Sequence, residues 1–119
     1  MKKLTIILTI SISFFNCAND SLSDLTESGP LPNLVTYVKD VKPIMDNNCI
    51  NCHGTTPING ANVSLVTYNQ VKSAVQNNSL ISRINATDPG NLMPQGGPKL
   101  PQNLIDTVIK WQTDGFVEN

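Results

Sequence analysis

The single histidine of this 119-residue chain stands directly behind a pair of cysteines, in the string Cys49, Ile50, Asn51, Cys52, His53. On a helical turn, positions i and i+3 share a face, so the two thiols point the same way and the imidazole follows one step on. The chain has three cysteines in all, the third being Cys17. These counts exclude a good deal. A zinc site asks for four N or S ligands, and beyond the string there is no further His and no Cys except Cys17. A thioredoxin-like pair belongs in a βαβ setting, whereas the flanks read as helix and loop. A disulfide between Cys49 and Cys52 would close a very small, strained loop. What the spacing does suit is covalent attachment of c-type haem. Two thiols on one face can form thioethers to two vinyl groups of a porphyrin, and His53 is then aimed at the iron as proximal ligand. A thiol redox protein stays open as the non-haem alternative.

With one His, a two-His iron is impossible within the chain. Three Met remain as sulfur ligands. Met1 belongs to the N-terminal run. Met45 lies four residues before Cys49, on the helix leading into the motif, and reads as core packing. Met93 lies forty residues after His53, far enough for the chain to wrap to the distal face. It is followed by Pro94, Gln95, Gly96, Gly97 and Pro98, a loop with neither helical nor strand period. Met93 is therefore the expected distal ligand. The alternatives are a Met that merely fills a gap and a vacant or water-bound iron.

The N-terminus reads as an export signal. Lys2 and Lys3 precede an uncharged run from Leu4 to Phe15. That run falls short of the roughly 20 apolar residues of a membrane span and suits the core of a signal peptide. We divide the chain into residues 1–16 as signal peptide, 17–33 as a lipid-anchored flexible tether and 34–119 as the folded domain. Cys17 closing the signal resembles the bacterial lipoprotein pattern. Phe14, Phe15 and Asn16 stand where that pattern has small residues, and the alternative is a removed or free Cys17. Several acyl chains on one Cys would meet the need of stable anchoring for more than one. Residues 18–33 are polar, with Gly29, Pro30 and Pro32, as a tether requires.

Within the domain, Asp40 is a plausible N-cap and Pro43 fits the first turn of the helix entering the motif. Thr67 and Gln70 make a capping-box pattern, which predicts a helix from about Tyr68 to Asn77 with Val71, Ala74 and Val75 on one face. A short helical segment is expected around Leu80 to Ile84. Residues 85–100 read as loop, with Asp88-Pro89-Gly90 as a turn. Pro101 starts the last helix. Leu104, Ile105, Val108, Ile109 and Trp111 give it a buried stripe, and Gly115 stops it as the C′ residue.

The motif, the later Met-Pro and the closing helix together resemble small class I cytochromes c. The stretch VKPIMDNNCINCHG is similar to bacterial cytochrome c domains that are exported as lipoproteins, and the resemblance runs from about Val35 to Phe116. It implies an all-α cytochrome c fold, with about three to five helices wrapped around one covalently bound haem c. Cys49 and Cys52 match the thioether residues, His53 the proximal ligand and Met93 the distal one. The family orients its His ring by a backbone carbonyl near a Pro, for which Pro57 is the candidate. Trp111 matches one member of the aromatic pair between first and last helices.

These readings imply a one-electron carrier in a periplasmic, membrane-tethered electron-transfer chain. They imply no catalytic residues, and they expect a monomer. A docking subunit of a larger oxidoreductase is the alternative, with a small haem peroxidase or sensor behind it. Only 14% of residues are charged and the formal charge is −1, so no basic stripe marks a nucleic-acid binder. Redox-partner proteins are expected to dock transiently on a neutral rim of Asn47, Asn48, Asn51, Gln95 and Gly96. Lys42 and Lys99 are the nearby positive charges, so modest salt dependence is expected.

Overall fold

The backbone turns helical at Tyr37, earlier than the sequence suggests. A π-helical turn, Tyr37–Val41, runs straight into α1, Lys42–Asn48. Asp40 is thus inside the first turn rather than at its cap, and its carboxylate accepts the Thr36 N–H at 2.7 Å. An acid in that position satisfies a free donor at the helix start and complements the dipole. Val41 donates to the Thr36 carbonyl five residues back, and Lys42 to that of Tyr37. The wider spacing comes just ahead of Pro43, which has no N–H and whose ring would press on the carbonyl of Lys39 in a regular helix.

The structure, a computed structural model, describes residues 30–119. The expected signal peptide, residues 1–16, and residues 17–29 of the expected tether, Cys17 included, lie outside the described residues. Among the described residues the protein is helical, with no strand. The first of them to be buried is Val35, at 0% exposure.

α2 spans Tyr68–Asn77 and starts with the predicted capping box: Thr67 accepts from the Gln70 N–H, and the Gln70 side chain accepts from Thr67. Its buried residues are Val71, Ala74 and Val75, as the spacing requires. Ser79, at φ 58°, turns the chain into α3, Leu80–Asn85, which buries Leu80 and Ile84. The long loop that follows includes the expected turn, with Asn91 and Leu92 both donating to the Asp88 carbonyl. α4 spans Gln102–Thr113, with Pro101 at its cap. Ile105, Val108 and Trp111 are fully buried, while Leu104 and Ile109 are half-buried against the same core.

α4 packs against α3 and against the π-turn, and α2 packs against α3. The end of α4 explains why. Gly115, at φ 86°, lets the Phe116 N–H reach the Trp111 carbonyl at 2.9 Å and its own N–H reach that of Gln112. This is a Schellman stop, and it lays the Phe116 ring on Trp111 with centroids 4.9 Å apart. The chain then runs back along its own beginning. Tyr37 and Val38 donate to the carbonyls of Val117 and Glu118, and Val35 donates to Asp114 Oδ2 at 2.8 Å.

All four aromatic residues beyond the N-terminal run meet at this crossing. Trp111 lies 5.7 Å from Tyr37 and 5.9 Å from Tyr68, centroid to centroid. Tyr37 is therefore the partner of Trp111 between the first and last helical elements, with Tyr68 and Phe116 added. Their polar atoms are satisfied: Trp111 Nε1 donates to the Val117 carbonyl and Tyr68 Oη to that of Phe116. Lys72 Nζ lies 5.5 Å and 5.4 Å from the Tyr68 and Phe116 rings, within cation–π range.

Candidate functional site

α1 delivers the motif. At its end, Asn48 Nδ2 donates to the Ile44 carbonyl, and Cys49 N–H donates to that of Met45 at 2.8 Å. One further turn follows, in which Cys52 and His53 both donate to the Cys49 carbonyl. The predicted common turn for the two thiols is thus present. Neither thiol is in a disulfide. A Cβ at Gly54 would lie 3.0 Å from the Ile50 carbonyl oxygen, a tight approach to which the turn would have to yield slightly.

The two sulfurs sit differently. Cys49 is half-buried against the core cluster, and burial pushes its thiol up to about 11. A thiol redox pair works through a depressed pKa, and Cys49 moves the opposite way. Cys52 faces the loop beyond, where Asn59 Nδ2 donates to its sulfur at 3.7 Å. Asn59 adopts a positive φ of 55°, followed by Gly60 at 80°, and the turn closes with Ala61 N–H on the Ile58 carbonyl. Ile58 in turn donates to the Cys52 carbonyl at 2.9 Å.

That turn redirects the chain and corrects one expectation. The carbonyl that orients the His53 ring belongs to Val63, not to Pro57. His53 Nδ1 lies 2.8 Å from the Val63 oxygen. Two residues later, Leu65 N–H donates to the His53 carbonyl at 2.8 Å. Asn59 and Gly60 carry the chain past Pro57 and bring residues 63–65 back along the motif. Because a carbonyl only accepts, Nδ1 must carry the proton. In the neutral ring the lone pair then falls to the other nitrogen, Nε2. Among the described residues, no three His, Cys, Asp or Glu side chains converge as a metal site formed by protein alone would require.

Met45 is the core residue its place on α1 suggests. Met45 is fully buried in the core, whereas Met93 is half-buried and packs against it from the loop. Met93 N–H donates to the Arg83 carbonyl, which ties the loop to the end of α3. Of the rim residues, Asn47, Asn51, Gln95 and Gly96 are exposed, and Asn48 is half-buried. Both nearby cations are engaged within the chain. Lys42 pairs with Asp46, and Lys99 donates to Asn85.

The carbonyl of Val63, the amide of Asn59 and the tie from Met93 to Arg83 were not read from the sequence. Two of the three use backbone atoms, which every residue type supplies equally. Only the Asn59-Gly60 turn has a side-chain signal.

The donor set suits a c-type haem: two free thiols on one turn and a histidine whose outer nitrogen is locked as donor, leaving Nε2 for iron. No helix among the described residues is long and apolar enough to cross a membrane. No family model, no curated protein and no solved structure matches this chain.

Proposed function

We propose that the chain is a monohaem c-type cytochrome that carries single electrons between redox proteins. The observation that carries this reading is the 2.8 Å contact between His53 Nδ1 and the Val63 carbonyl, immediately behind two free thiols on one turn. Metal-ligating histidines characteristically give their other ring N–H to such an acceptor, which fixes both tautomer and ring plane.

A bound haem supplies a one-electron couple between ferrous and ferric iron. Cys49 and Cys52 would hold it covalently, and His53 would offer Nε2 to the iron. The Val63 carbonyl, by taking part of the charge on Nδ1–H, would make that nitrogen a better donor. Met93 would supply the second protein ligand, and its soft sulfur would raise the potential relative to a second imidazole. The helices α1 to α4 form a cytochrome c fold in this reading. Residues 1–16 direct export, Cys17 carries the lipid, and the domain works in the periplasm on the tether 17–33. Partner proteins dock transiently at the uncharged rim, and with Lys42 paired to Asp46, Lys99 alone of the two cations is left to steer them.

The test is haem content after denaturation and acid–acetone extraction. Haem that stays with the polypeptide, with a pyridine haemochrome spectrum of c type, is the expected result; extractable or absent haem would overturn the reading. In the oxidised protein, a Met–iron charge-transfer band should be present and should vanish in Met93→Ala. Its persistence there would move the ligand role to Met45.

A further inference from the structure

The loop between α3 and α4 is tied to the C-terminal end of α3 at two points, one on each side of Met93. The first tie lies on the near side. Met93 N–H donates to the Arg83 carbonyl at 3.0 Å, and Arg83 Nη1 donates to Asn91 Oδ1 at 3.3 Å. Asn91 Nδ2 in turn donates to Asp88 Oδ2 at 2.7 Å, so this half of the loop is braced from within. The second tie is a single side chain. Lys99 Nζ lies 3.0 Å from both the carbonyl and the side-chain oxygen of Asn85, fourteen residues back.

The arm between Met93 and Lys99 is Pro94, Gln95, Gly96, Gly97 and Pro98. Two of its residues have no N–H, and two are glycines with positive φ. Its internal bond, Gly97 N–H to the Pro94 carbonyl, turns the arm on itself without attaching it to the body. Attachment resumes at Lys99 and at Leu100, which is buried. An ammonium on the last carbonyls of a helix is also favoured by the helix dipole.

From this arrangement we infer that Lys99 is a positioning residue for Met93. It pins the far arm of the loop to α3 and so limits how often the Met93 sulfur leaves the haem iron. The inference rests on the proposal that Met93 is the distal ligand. An outside ligand reaches the iron only while Met93 is off, so its apparent affinity scales with the population of the open loop.

The experiment is a titration of the ferric holoprotein with imidazole, followed by loss of the Met–iron band, with far-UV circular dichroism to verify the fold. Lys99→Met keeps the aliphatic stem and removes the ammonium. It should tighten apparent imidazole binding about fivefold, the effect of losing one solvent-exposed charged tie. Lys99→Arg should restore wild-type binding. In a Met93→Ala background, imidazole should bind equally well with Lys or Met at position 99. Unchanged affinity in Lys99→Met, or the same shift with and without Met93, would overturn the role of Lys99. A separate outcome marks failure of the ligand assignment itself: Met93→Ala would then leave both band and imidazole affinity as in the wild type, and the role of Lys99 would fall with it.

Discussion

Two regions of the molecule are built on opposite principles. At the crossing of Tyr37, Tyr68, Trp111 and Phe116, the protein completes itself. Tyr68 and Phe116 pack edge to face on Trp111, Trp111 is fully buried, and the indole N–H and Tyr68 hydroxyl each have a carbonyl partner. At the motif and the Met93 loop, the chain stays incomplete by its own means. Two thiols stay unjoined, an imidazole nitrogen is left as donor, and a methionine is only half-buried. The contrast teaches where stability and where function should reside. The first region holds the fold, and the second is where the proposed haem would be held.

The sharpest way to break this division is to remove the thiols. Cys49→Ala/Cys52→Ala should abolish covalent haem altogether, read as no haem retained on a denaturing gel. Retained covalent haem would show that the attachment lies elsewhere. The next effect falls on the other region. Trp111→Ala should cost about 3–5 kcal/mol in chemical denaturation, as for a large aromatic removed from a packed core. The haem should still be attached, since Trp111 touches neither thiol nor imidazole in this scheme. A smaller step at the same place is Tyr68→Phe, which keeps the ring and deletes the bond to the Phe116 carbonyl. That should cost about 1 kcal/mol and leave the Met–iron band unchanged.

The smallest expected effect is one of pH. Asp114 accepts from Lys110 and from the Val35 N–H, and these bonds hold its carboxyl below the ordinary value of 3.8. A depressed folded pKa means stability that is present above the unfolded value and lost as pH falls through the folded one. Asp114→Asn should therefore unfold more easily than wild type near neutrality. The difference should shrink as pH drops below about 4, measured by denaturation at several pH values. A difference that persists unchanged in acid would show that Asp114 does not act through its charge.

Much of the fold was legible because it rests on local rules. The capping box at Thr67 and Gln70, the stripe on α4 and the stop at Gly115 all depend on residues a few positions apart, and all appear as expected. The start of α1 was less legible. Asp40 looks like a cap, but the cap falls at Thr36, four residues earlier, where the Asp40 carboxylate reaches back to accept from the Thr36 N–H. Likewise Pro57 looked like the source of the His53 acceptor. The loop through Asn59 and Gly60 instead delivers Val63, and no side chain announces which carbonyl a loop will present.

The sequence by itself determined the donor inventory and its spacing: one imidazole behind two thiols, and a methionine in a loop forty residues on. It did so because covalent spacing along a helical turn needs nothing beyond the chain. The tertiary structure alone decided which nitrogen of His53 is left free, which sulfur is buried and which aromatic rings meet. It also decided that Lys99 reaches Asn85. Those outcomes depend on backbone carbonyls and long-range burial, and such partners become neighbours only when distant segments fold against one another.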